Sequence, residues 1–222
     1  MMEQVIIIRD EALNAGTKLF FKKSRILEFF LWGVILLLFN RHLFTGVVSD
    51  KFIFYPQAVA GREWWRILTH PLVHVSWYHF LLDAAAFLLL YFGLEQKSLL
   101  KKIIYVLGCV CMSFIIPLLT TPDIYIYGLC GLSGAAHGLM AISALELISK
   151  NNSIVGSSGS LRKAGFFYLG MVLLKSSLEF IRGEVVFSFL HFGYLGSPIA
   201  SSHLGGVLGG ILVYMIISSR KS

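Results

Sequence analysis

The 222-residue chain is 56% hydrophobic and 14% charged, with a mean hydropathy of +0.75. A soluble domain carries roughly a quarter charged residues, so a soluble globular enzyme is excluded and an all-α membrane bundle filling one domain is expected. The net charge of +7 does not point to nucleic acid, because Lys and Arg fall in short clusters between apolar segments, a distribution that fits membrane orientation.

In chain order, a polar leader over 1–25 carries Lys18, Lys22, Lys23 and Arg25. Its apolar stretch starts too late for a cleavable signal, so the first helix reads as an uncleaved span. Six spanning helices are predicted, at about Ile26–Phe44, Trp77–Gln96, Ile103–Leu119, Leu132–Ile148, Ala164–Ile181 and Ile199–Ser218. They make a membrane domain over 26–218, with a short tail over 219–222. Helix is required because lipid offers no partner for backbone N–H and C=O groups.

The basic clusters Lys22/Lys23/Arg25, Lys97/Lys101/Lys102, Lys150/Arg162/Lys163 and Arg220/Lys221 all fall on one side of this arrangement. That side is expected to be cytoplasmic, giving N-in, C-in topology, in what would be a bacterial inner membrane. Arg41, Lys51, Arg62 and Arg66 oppose this, but long loops weigh less in the rule. Their loop, Thr45 to Ser76, is rich in aromatics and suits the headgroup zone. Asn151–Ser160 reads as a flexible cytoplasmic loop. Cys109, Cys111 and Cys130 form no metal pattern and read as small packing residues. His42 and His191 read as interfacial or loop residues.

The chemistry concentrates in three places. Gly128-Leu-Cys-Gly-Leu-Ser133-Gly134 puts a serine at the mouth of an apolar helix. Gly131 and Gly134 allow close backbone approach, and helix packing alone would also explain them. Ser202-His203-Leu-Gly-Gly206-Val-Leu-Gly-Gly210 puts a histidine near the same face of the membrane. A serine hydroxyl needs a base within hydrogen-bond reach, and His203 supplies one with an ordinary pKa near ~6.5. No acid lies near His203 in sequence or at the corresponding depth of its helix, so a dyad is expected rather than a triad.

The third place is Trp65-Arg66-Ile-Leu-Thr69-His70-Pro-Leu-Val-His74-Val-Ser-Trp-Tyr-His79-Phe-Leu-Leu-Asp83. With this run the chain resembles the rhomboid family over roughly Arg62 to Tyr214: Trp-Arg in the first loop, spaced histidines, His-x-x-x-Asn on the second helix, Gly-x-Ser-Gly on the fourth, and His-x-x-Gly-x-x-x-Gly on the sixth. The resemblance implies a six-helix rhomboid-like bundle. It makes Ser133 the nucleophile, His203 its base, and His79 with the Ser133 N–H the stabilisers of the oxyanion.

Three positions depart from the pattern. Asp83 stands where the family carries Asn. It is protonated, orients His79 one turn away, or faces elsewhere, and the orienting role is favoured. His137, one turn below Ser133, stands at a frequent Tyr position. It supports His203, serves structure alone or, as a rival assignment, is the base. Lys175 and Glu179 sit at i, i+4 spacing inside the fifth helix, where they pair, snorkel, or read the substrate. That pair, with Gly-Leu-Ser-Gly-x-x-His137-Gly138, is similar to the rhombosortase branch, which is associated with C-terminal glycine-rich sorting segments. His70 and His74 are read as hydrogen-bonding or water-holding groups near the site, or as structural residues.

The expected activity is hydrolysis of a peptide bond in a membrane-anchored protein, near the external side of the bilayer. No cofactor or metal is called for, since no His-Glu-x-x-His run and no phosphate loop occurs. The competing readings are an inactive rhomboid-like binding or chaperone protein and a small transporter.

Overall fold

The computed structural model describes residues 24–46, 50–149, 158–186 and 192–219. Residues 1–23 of the leader, Lys150, His191, the last three residues and most of the Asn151–Ser160 stretch lie outside the described residues. The chain divides into two compact units, Met1–Leu38 and Phe39–Ser222.

The first unit holds most of helix α1, residues 24–39. It presents exposed Leu27, Phe30 and Leu38, as a lipid-facing helix would. The helix stops short of the expected Phe44. Asn40 leaves the helical region at φ −106°, ψ 14°, and Arg41–Phe44 follows as a 3-10 turn.

The second unit is helical throughout its regular elements: α2 (Pro56–Ala60), α3 (Arg66–Thr69), α4 (Trp77–Gly93), α5 (Leu99–Thr120), α6 (Ile124–Tyr127), α7 (Ser133–Ser149), α8 (Ser158–Arg182) and α9 (Ser201–Ser219). α8 begins earlier than the expected Ala164, because an established helix propagates through exposed polar residues at little cost. Among the described residues α5, α8 and α9 are long and apolar enough to cross a membrane. A fourth span results if Arg66–Leu72 and Trp77–Gly93, inclined by 91°, count as one bent element. α4 and α7 have 17 residues each. At 1.5 Å per residue they reach about 26 Å, short of the ~30 Å hydrocarbon layer. By length and composition, three or four of the six expected spans meet this measure among the described residues.

α9 is the centre of the unit, packing on α5, α7 and α8. Its glycines make this possible. A Cβ on Gly206 would overlap the Gly134 carbonyl, and one on Gly210 would overlap the Gly138 carbonyl. The backbones of α7 and α9 therefore touch, with small residues as the contact surface. Since Gly134 follows Ser133 and Gly206 lies one turn after His203, this contact brings the starts of the two helices together.

The first long loop is structural rather than only interfacial. Phe54 and Leu129 exchange both backbone hydrogen bonds, at 3.0 and 2.9 Å, and Gly131 N–H donates to His70 O at 3.0 Å. Arg66 is buried. It donates to the Ile53 carbonyl at 2.6 Å, to Glu63 at 2.7 Å, and to the Asp50 carbonyl. Its charge, counted above against the orientation rule, is spent inside the loop. Phe54, Ile124, Leu129 and Ile199 form a small apolar core beneath. The loop thus clamps the strand-like residues that lead into Ser133.

Candidate active site

Ser133 and His203 line the same cavity of about 340 Å³, with His79, Asp83, His137 and Lys175 also in its wall. The starts of α7 and α9 supply the two residues of the expected dyad. α4 supplies His79 and Asp83, and α8 supplies Lys175. Leu82, Met140 and Val185 give the cavity apolar surface.

Two polar clusters flank Ser133. In the first, Glu179 Oε2 lies 2.8 Å from His203 Nδ1. Glu179 Oε1 accepts from Lys175 Nζ at 2.6 Å and from the Val186 N–H at 3.0 Å. Lys175 Nζ also reaches His137 Nε2 at 2.9 Å, and His137 Nδ1 lies 2.8 Å from the Ser133 carbonyl. Glu179 is fully buried, and its charge is balanced by the lysine one turn earlier, which limits the desolvation cost.

These bonds fix the tautomers. A carbonyl only accepts, so His137 Nδ1 carries the proton and Nε2 accepts from the ammonium. A carboxylate only accepts, so His203 Nδ1–H donates to Glu179. Among the described residues His137 has hydrogen-bond partners at both nitrogens and His203 at Nδ1 alone. The two rings stack, 4.0 Å between centroids. The absence of an acid beside His203, expected from its own helix, is corrected here, because the carboxylate comes from α8.

The second cluster lies on the other side of Ser133. Asp83 Oδ2 accepts the Ser133 N–H at 3.0 Å, so the donor expected to serve an oxyanion is already engaged. The same oxygen lies 3.3 Å from His79 Nε2 and 3.4 Å from His74 Nε2. Ser76 caps α4, its Oγ accepting the His79 N–H at 3.0 Å, which sets His79 in the first turn. The capping hydroxyl also donates to Tyr194 O, and the Phe192 N–H donates to Tyr78 Oη at 3.3 Å. These bonds hold residues 192–194 against the start of α4. Gly131, at φ +95°, has no room for a side chain: a Cβ would lie 2.7 Å from both Asp83 Oδ2 and His79 Nε2. Glycine is thus required by both backbone conformation and space.

The other histidines divide. His70 Nδ1 binds the Ile67 carbonyl at 3.0 Å and its ring packs among Phe54 and Phe114, a structural role. His42 is buried, with Nε2 2.9 Å from the His74 carbonyl. Sequence reasoning had no signal for Asn40, which is fully buried and accepts the His74 N–H at 2.8 Å. Among the described residues Cys109, Cys111 and Cys130 are free thiols.

Residues 61–220 match the Rhomboid domain family. Across 218 residues, 97% of this chain and 98% of the relative, the sequence is 26% identical to a Bacillus subtilis (strain 168) protein named "Putative rhomboid protease YdcA". With the domain match covering well over half its length and its helices long and apolar enough to cross a bilayer, this chain is an integral membrane protein that belongs to the rhomboid family.

Proposed function

We propose that the chain is an intramembrane serine protease acting on membrane-anchored proteins near the external face of the bilayer, with Ser133 as nucleophile and His203 as base. The observation that carries this reading is the placement of His203: Nδ1 is held by Glu179 at 2.8 Å, and the residue lines the cavity that Ser133 also lines. Fold analogy alone would be a weaker warrant.

In this mechanism His203 Nε2 takes the Ser133 hydroxyl proton as Oγ bonds the scissile carbonyl carbon. Glu179 stabilises the imidazolium that forms, so the unit acts as Ser-His-Glu rather than a bare dyad. The imidazolium returns its proton to the leaving amine, and water then hydrolyses the acyl-enzyme by the same base. His137, with neither nitrogen free, supports the base by stacking and is not the base itself. An oxyanion could use His79 and the Ser133 N–H only once Asp83 releases them or carries a proton, since a protonated carboxyl donates and a carboxylate repels. In place of a substrate gate, Lys175 and Glu179 hold the base.

The topology we adopt is N-in, C-in with six spans, α1, α4, α5, α7, α8 and α9, within a membrane domain over 26–218. The shorter α4 and α7 are accommodated by local bilayer thinning at modest cost. The resemblance of Lys175, Glu179 and His137-Gly138 to the rhombosortase branch suggests substrates with glycine-rich C-terminal segments. Such segments unwind easily, since glycine is about 1 kcal/mol less favourable than alanine in a helix.

The test is co-expression with a panel of single-span substrates, one bearing a glycine-rich C-terminal anchor. Cleavage by wild type and none by Ser133→Ala or His203→Ala is expected. Cleavage that survives Ser133→Ala would overturn the reading. The alternative, an inactive rhomboid-like binding protein, is favoured by one observation, the engagement of the Ser133 N–H by Asp83. A fluorophosphonate probe separates the two: labelling abolished in Ser133→Ala belongs to the protease and absent labelling to the binder.

A further inference from the structure

We propose that His74 Nε2, His79 Nε2 and Asp83 Oδ2 form a binding site for one divalent transition-metal ion of the zinc class. This inference does not rest on the protease reading.

The orientation of His74 is the first argument. The Asn40 amide is fixed from two sides: its Nδ2 donates to the Leu72 carbonyl at 2.7 Å, and its Oδ1 accepts the His74 N–H at 2.8 Å. The same Oδ1 faces His74 Nδ1 at 3.2 Å, so that ring nitrogen carries the proton. His74 Nε2 therefore presents a lone pair. It is fully buried, has no hydrogen-bond partner among the described residues, and points at a carboxylate oxygen 3.4 Å away. With His74 neutral, two acceptors face each other in a buried place, and a metal ion between them would serve both.

The second argument is distance. A proton shared between imidazole and carboxylate draws the heavy atoms to about 2.7–2.9 Å. Here both histidine nitrogens stand farther from Asp83 Oδ2, at 3.4 and 3.3 Å. Ligands 2.0–2.1 Å from a tetrahedral zinc are separated by about 3.3–3.4 Å, which matches both edges. The three residues are buried, and their ligand atoms lie within 4.8 Å of one another. The rings of His74 and His79 lie edge to face, 4.9 Å between centroids and crossed at 79°.

The donor set and its surroundings complete the case. Two imidazoles and one carboxylate select Zn²⁺ or Co²⁺ over Ca²⁺ and Mg²⁺, which prefer oxygen. Asn40 on His74 is the outer-shell partner that orients a metal-binding histidine. Gly131 keeps a side chain out of contact with Asp83 Oδ2 and His79 Nε2. The other cluster, His137, Glu179 and His203, also has ligand atoms within 4.8 Å, but Lys175 Nζ already supplies its cation.

The experiment uses full-length protein in detergent, stripped with chelator and titrated with Co²⁺. One equivalent is expected to bind, with the visible absorption of four-coordinate cobalt, and one equivalent of Zn²⁺ should displace it. X-ray absorption at the cobalt edge on wild type should report two imidazole ligands and needs no variant. Asp83→Asn and His74→Gln should each weaken binding by at least about tenfold, while Glu179→Gln leaves it unchanged. No saturable binding to wild type overturns the proposal. So does binding that survives Asp83→Asn, or that is lost in Glu179→Gln.

Discussion

The imidazoles of His137 and His203 lie face to face, 4.0 Å between centroids and 12° from parallel. Two charged rings at this distance would repel. Lys175 settles which stays neutral, because its ammonium donates to His137 Nε2 and a protonated imidazole could not accept. His203 is thereby left as the ring that the proposed mechanism uses as base.

The stack itself can be tested. His137→Phe and His137→Ala both remove the hydrogen bonds to Lys175 and the Ser133 carbonyl, but only the first keeps a ring against His203. A stacked aromatic pair contributes about 0.5–1.5 kcal/mol beyond its buried area. The Ala variant should therefore fall roughly two- to tenfold below the Phe variant in kcat. Equal rates would mean that His137 contributes nothing through its ring.

Glu179→Gln addresses the carboxylate that the proposed mechanism places behind His203. The amide cannot stabilise an imidazolium as a carboxylate does, so kcat should drop by about 10²–10⁴ with KM little changed. Glu179→Asp should recover part of the loss. A wild-type kcat in Glu179→Gln would leave a Ser-His dyad sufficient.

How far this was readable from residues depends on what kind of partner each one has. Ser133, His203, Gly131 and Gly206 stand in runs whose spacing carries meaning, so the meeting of α7 with α9 could be anticipated. Glu179 could not be assigned to His203. The two lie 24 positions apart on different helices, and nothing in that interval encodes contact. The available signal was a carboxylate at i+4 from a lysine in an apolar helix, which exposed an unusual group but not its partner. The partners of Arg66 were hidden for a different reason. Its acceptors include the Asp50 and Ile53 carbonyls, and backbone groups leave no mark in a sequence. Helix ends were misplaced because apolar composition does not reveal where a helix stops, as α1 does before Asn40.

Lys175 and Glu179 should also be separable in stability and activity. Lys175→Met leaves Glu179 buried without its balancing charge, and breaking a buried pair from one side costs about 3–5 kcal/mol. Lys175 is one-third exposed, so the lower end is expected, read as a reduced thermal midpoint in detergent. The double variant Lys175→Met/Glu179→Leu removes both charges and should regain most of the midpoint. Its cleavage rate should stay as low as that of Glu179→Gln. Recovery of activity along with stability would assign the pair to structure alone.

Arg66→Lys tests the clamp on the first long loop. A guanidinium serves Glu63 and two carbonyls at once through its planar fork, and an ammonium cannot reproduce that geometry. Hydrogen bonds to a charged group contribute about 1.5–3 kcal/mol each, so a loss of at least about 2 kcal/mol in unfolding free energy is expected. Because the same loop pairs Phe54 with Leu129 just ahead of Ser133, the fluorophosphonate labelling rate should fall as well. A lower midpoint with unchanged labelling would show that the loop is not needed to present the serine.

The closeness of α7 and α9 makes the sharpest contrast between two otherwise similar substitutions. Gly170 sits on the exposed face of α8 with nothing within 4 Å of a built Cβ. Gly170→Ala should therefore stabilise by about 0.5–1 kcal/mol through helix propensity alone. Gly206→Ala would gain the same propensity, but its methyl would overlap the Gly134 carbonyl, and overpacking costs about 1–3 kcal/mol. The helices can relieve that overlap only by moving apart at the residue beside Ser133, so Gly206→Ala should lose activity out of proportion to its midpoint. If Gly206→Ala behaved like Gly170→Ala in both measurements, the backbone contact that joins the two halves of the site would not exist.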